Sequence, residues 1–118
     1  MSEGPARGAV RKTNVLAETP VQARGRVLPF FTVDCGRLVQ TLWPTLNYLG
    51  VPLRQSMLGR ALGRVIAHEI YHILTQAKDH TDSGIAKASL SIQDLMTERF
   101  AFDSTSLQRI RATTAGGN

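Results

Sequence analysis

Apolar positions along the chain fall into a few patches whose spacing changes, and the spacing predicts the elements. Residues 1–26 mix small, polar and basic types with no apolar period, so they are expected to be a disordered or weakly ordered N-terminal segment. Val27–Val33, VLPFFTV, is rich in β-branched and aromatic residues and reads as a strand. Pro29 within it points to an edge position or an irregular start. Asp34 is placed to cap a short helix over Gly36–Trp43, which Pro44 would end or kink. Asn47–Val51 reads as a turn around Gly50.

Pro52 opens the longest periodic segment, which runs to Gln76; proline suits a first helical position. At 100° per residue, Leu58, Leu62, Val65, Ile66, Ile70 and Ile73 share one broad apolar face, and Arg60, Arg64 and Tyr71 fall opposite. Gly59, Gly63 and Ala67 recur every four residues along one border. Each glycine costs about 1 kcal/mol in a helix interior, so the spacing predicts close approach of another backbone, with tolerated accidents as the alternative. Residues 77–87 read as a polar loop. A short helix is expected from Ser91, burying Ile92, Leu95 and Met96. A last helix is expected to start at Ser104 or Thr105 as its cap and to run through Ala112. The predicted fold is therefore α+β and mainly helical, with a central helix and a minimal strand element. It occupies residues 27–113 as one domain, followed by a frayed tail over 114–118.

Composition narrows this picture. A chain of 118 residues suits one domain able to bury a real core. No apolar stretch reaches the roughly 18 residues that a spanning helix needs. The opening residues lack the apolar region of a secretory signal. The chain as written therefore points to the cytoplasm, or to secretion if a leader precedes Met1. Cys35 is the only cysteine, which excludes an internal disulfide and a cysteine-rich zinc site. The net charge of +5 would suit acidic partners. However, Arg7, Arg11, Lys12, Arg24 and Arg26 all lie in the lead-in, and no RNA or DNA motif accompanies them.

The chemistry concentrates at residues 68–72, His-Glu-Ile-Tyr-His. His68 and His72, four apart on a predicted helix, project from one face one turn apart and can both reach one ion at about 2.0–2.1 Å. Glu69 is rotated 100° from His68, beside the ion rather than on it. There it can take a proton from a zinc-activated water and pass it to a leaving amine. A catalytic zinc site normally has a third protein ligand. The candidates are His80, Asp79, Asp82, Glu98 and Asp103. His80 leads them, because a tight reversal after the helix would return it over the same face. Asp79 and Asp82 are alternatively candidates to support a ligand histidine from behind.

The stretch GRVIAHEIYHILTQAKDHTDSGIAK resembles the active-site segment of zincin metallopeptidases. It is most similar to small bacterial metzincin-like proteins with the pattern HExxH, seven residues, His, a polar pair or triplet, then Gly-Ile-Met. Here the pattern reads HEIYH, ILTQAKD, His80, Thr81-Asp82-Ser83 and Gly84-Ile85, within a resemblance covering about residues 55–100. It implies a compact zincin-like fold, His68, His72 and His80 as ligands of Zn2+, and Glu69 as general base. Two positions depart from the pattern. The family often has glycine four residues after the second histidine, where this chain has Gln76. The methionine after Gly-Ile is Ala86, with Met96 as a candidate substitute beneath the metal.

Together these readings predict zinc-dependent hydrolysis of a peptide or protein substrate. The alternative is a non-catalytic or degenerate zinc-binding interaction domain. A basic helical nucleic-acid binder ranks third.

Overall fold

The computed structural model describes residues 16–116. The elements run β1 (Ala17–Glu18), β2 (Thr32–Val33), α1 (Cys35–Leu46), α2 (Val51–Thr75), α3 (Ile92–Met96) and α4 (Ser104–Gly116). Among the described residues the protein is mainly helical, with one two-stranded antiparallel sheet that pairs Ala17 with Val33 and Glu18 with Thr32.

The long helix is central: α1, α3, α4 and β1 all pack on α2. On α1, Leu38, Leu42 and Leu46 recur every four residues, forming one stripe. They bury against Ala61 and Val65 of α2 and Leu95 and Met96 of α3, with Leu16, Ala17 and Leu90 packed around the rim.

Each helix start has a local cause. Asp34 caps α1 by accepting from the Arg37 amide at 3.0 Å. Pro44 neither ends nor breaks this helix, which continues to Leu46. Pro52 sits in the first turn of α2, where a missing N–H costs nothing. Ser91 and Asp94 form a reciprocal capping box on α3.

Several expectations are corrected. Val27–Val33 is not one strand. Pro29 interrupts it, leaving a single bridge between Val27 and Val21 and the short β2. Residues 16–26, expected to be weakly ordered, instead supply β1 and a tight turn closed by the Gly25 amide on the Gln22 carbonyl. Residues 1–15 lie outside the described chain. The face of α2 opposite the aliphatic stripe is buried too. Tyr71 is fully enclosed, its ring stacked 5.6 Å from Phe102 and its hydroxyl accepting from Arg109. Arg60 and Arg64 donate to the carbonyls of Met96, Asp94 and Glu98. There they satisfy the open carbonyl end of α3, where a cation is favoured. Ile70, Leu74 and Ile92 are exposed.

Gly59 and Gly63 admit no neighbouring backbone. A Cβ at either would meet nothing within 4 Å. The last helix starts from Asp103 rather than from Ser104 or Thr105, since Asp103 Oδ1 accepts from the Ser106 amide at 2.8 Å. That helix continues through residues 114–116, which the sequence assigned to a frayed tail; residues 117–118 lie outside the described chain.

Candidate metal centre

His68 and His72 lie on consecutive turns of α2, and both are buried. Thr75 ends the helix, and Gln76 reverses the chain by taking a left-handed conformation with φ 52°. A non-glycine residue there costs roughly 1–2 kcal/mol. The Gln76 side chain offsets this. Its Oε1 accepts from the Val27 amide at 3.2 Å, and its Nε2 donates to the Val27 and Ile73 carbonyls at 3.1 and 3.0 Å. Glycine is thus dispensable at this turn, and the substitute ties the N-terminal hairpin to the end of α2.

The reversal returns His80 over the helix. The three imidazole centroids stand 5.0, 5.2 and 5.0 Å apart, a nearly equilateral triangle. The nitrogens they offer lie within 4.8 Å of one another, close enough to hold a metal ion. His80 is the exposed member.

The hydrogen bonds fix the tautomers. His68 Nδ1 lies 2.7 Å from the Ile85 carbonyl, and His72 Nδ1 lies 2.7 Å from the Ala77 carbonyl. A carbonyl only accepts, so both Nδ1 atoms carry the proton. In the neutral rings both Nε2 atoms are then lone pairs, and they face each other at 3.3 Å. Two buried acceptors in opposition are unfavourable without a cation between them. The separation equals what two nitrogens about 2.0–2.1 Å from one ion subtend at a tetrahedral angle. The donor set therefore fits a metal ion.

A proton is the other cation that could sit there, and burial disfavours it. Desolvation lowers the His68 pKa below 6.5 and outweighs the opposing hydrogen bond to Ile85; repulsion from His72 lowers it further. His80 is lowered by desolvation first and then by His68 and His72, against Glu69 and Asp79.

Glu69 is buried beside the triangle but outside it. Its Oε2 is 4.0 Å from His68 Nε2, and its Oε1 accepts from the Thr19 hydroxyl at 2.6 Å. The other expected candidates do not join the histidines. Glu98 is exposed, and its carbonyl is engaged by Arg64. Asp103 is occupied as a cap and accepts from Ser83. The ring orientations of His68 and His72 are set by the Ile85 and Ala77 carbonyls rather than by Asp79 or Asp82. Asp79 acts on His80 only through its charge. Met96 packs in the helical core and does not line the cleft.

Above the histidines opens a cleft of about 470 Å³. Its walls are β1 with Leu16 and Thr19, the apolar Val27 and Val65, and Lys78 and Leu90 of the loop after α2. Loop 77–91 is held in place by Gly84, whose φ of 80° and contact with the Ala101 carbonyl and Asp103 amide leave no room for a side chain. Sequence reasoning missed Thr19 and the two carbonyls. Pro20 after Thr19 hinted at extended backbone, but no local signal marks which carbonyls will meet a ring nitrogen.

Comparison with family models, curated proteins and solved structures gives no match.

Proposed function

We propose that the chain is a zinc-dependent peptidase that binds one ion through His68, His72 and His80 and uses Glu69 as general base. The observation that carries this reading is the pair of opposed Nε2 lone pairs, closed into a triangle by His80, with a buried carboxylate 4.0 Å from His68 Nε2 and outside the set. Zinc bound there would act as a Lewis acid and lower the pKa of a coordinated water toward about 7. Glu69 Oε2 is free to receive a proton, because Thr19 engages the other oxygen. On this reading an extended peptide lies in the cleft beside β1, which lines it and whose second edge carries no partner strand among the described residues. The motif resemblance to metzincin-like peptidases supports the same assignment.

A second reading, a metal-stabilised interaction domain, draws support from loop 77–91. His80 and the carbonyls that hold His68 and His72 all belong to it, so the ion would fasten that loop to α2. Metal analysis of the purified chain, followed by hydrolysis of an unfolded protein substrate with and without chelator, separates the readings. One equivalent of zinc with chelator-sensitive hydrolysis supports the peptidase. Zinc without hydrolysis supports the interaction domain. No zinc overturns both.

A further inference from the structure

We propose that the corner between α1 and α2 docks on an anionic lipid surface. This corner carries an unusual set of exposed side chains. Trp43 closes the last turn of α1, Tyr48 stands in the connecting turn with 86% of its surface exposed, and Val51 and Leu53 open α2 with more than half of theirs exposed. Pro44 and Pro52 are exposed between them. Monomeric soluble proteins rarely gather so many large apolar groups in one exposed place without a partner. None of the residues touches the cleft. Val51 and His68 are 17 positions apart on one helix, about 25 Å along its axis.

Charge identifies the occupant. Of the arginines on α1 and α2, Arg37 pairs with Asp34, and Arg60 and Arg64 donate to carbonyls at the end of α3. Arg54 lies at the corner itself. Its guanidinium sits 5.0 Å over the Trp43 ring and donates to the carbonyls of Leu46 and Leu49. It thus covers the negative end of α1. The positive end of α2 is left open: Gly50 supplies no side-chain cap, and the first turn contains no acidic residue. The tip therefore pairs the Arg54 guanidinium and the uncapped start of α2 with Trp, Tyr, Val and Leu. That is the combination that settles at the boundary between anionic headgroups and acyl chains. A second copy of the chain fits poorly, because a self-complementary contact would bring two Arg54 groups and two open helix N-termini together. Nucleic acid would leave Val51 and Leu53 without a counterpart. No helix among the described residues is long and apolar enough to cross a membrane, so the contact is peripheral.

Trp43 is the only tryptophan, so its emission reports on the corner directly. Full-length protein would be mixed with vesicles of phosphatidylcholine alone and with vesicles containing phosphatidylglycerol. The expected result is co-sedimentation with the anionic vesicles, a blue shift of Trp43 emission, and loss of both as salt screens the charge. The double substitution Tyr48→Ser with Leu53→Ser should lower partitioning about tenfold or more. Zinc content and circular dichroism should stay unchanged, because both side chains are exposed. Protein with its metal removed should bind vesicles equally, so this result stands apart from the peptidase assignment. The proposal is overturned by any of four outcomes: no binding to anionic vesicles at low salt; equal binding by the double variant; a Trp43 shift produced by oligonucleotide but not by vesicles; or a shift with protein concentration alone, which would indicate self-association.

Discussion

The Thr19 hydroxyl donates to Glu69 Oε1 at 2.6 Å across fifty residues of sequence. This contact pins a buried carboxylate beside the three histidines and leaves its second oxygen facing them. Glu69→Gln preserves the shape and removes the basicity. It is expected to keep zinc near full occupancy and to lower peptide hydrolysis by about 10²–10⁴-fold. Equal activity in the two proteins would rule out the base. Thr19→Val should leave metal content intact and cost about 1–3 kcal/mol in urea denaturation, because the carboxylate loses a charge-assisted bond.

The histidines are not equivalent. His68 and His72 are buried and oriented by carbonyls, whereas His80 is exposed on a loop. His68→Ala or His72→Ala is therefore expected to abolish zinc binding in calorimetric titration, and His80→Ala to weaken it strongly. Full metal content in both buried-site variants would place the ion elsewhere.

Acid should act on the metal-free protein through the same rings. The folded pKa values of His68 and His80 are depressed below 6.5. The unfolded chain therefore takes up protons first as pH falls. The stability these groups contribute is complete above about 6.5 and declines as pH drops toward their folded values. Unfolding midpoints of the chelated protein should accordingly fall between pH 7.5 and 5. Zinc binding, which requires neutral imidazole, should persist below the range of an ordinary histidine. A chelated protein more stable at pH 5 than at 7.5 would contradict the lowered basicity of His68 and His80.

Glycines should separate by environment. Gly59→Ala and Gly63→Ala face open space on a helix, and each is expected to stabilise by about 1 kcal/mol. Gly84→Ala places a Cβ 2.6 Å from the Ala101 carbonyl at a φ of 80°. It should cost several times as much and weaken zinc binding, since the loop carrying His80 and the Ile85 carbonyl must move. A Gly84→Ala protein with unchanged zinc affinity would show that the loop is not held at this point.

At the end of α2, Gln76→Ala keeps the left-handed strain and loses the ties to Val27. Gln76→Gly loses the ties but relieves the strain. The glycine variant should be the more stable of the two by about 1 kcal/mol in chemical denaturation, and both should fall below the native chain. Stability of Gln76→Gly above that of the native chain would mean that the ties to Val27 contribute little.

The sequence by itself determined what repeats at short range. The 3.6-residue period marked α2 to within a residue at each end, Asp34 marked the start of α1, and the spacing of His68, Glu69 and His72 put them together on consecutive turns. These follow from backbone geometry and need no distant partner. Only the tertiary structure decided the rest, because it depends on which surfaces meet. Tyr71 and Arg64 read as outward-facing on a helical wheel, yet α4 and α3 cover that side. A wheel records where a side chain points and not what arrives there. Residues 16–19 lack the length to form a stable strand alone; pairing with β2 and packing on α2 order them. The third histidine was one of five candidates until the Gln76 turn and the Gly84 contact fixed the path of the loop. The carbonyls of Ala77 and Ile85 carried no residue-specific signal, since every residue has one and only the folded path brings two of them to the Nδ1 atoms.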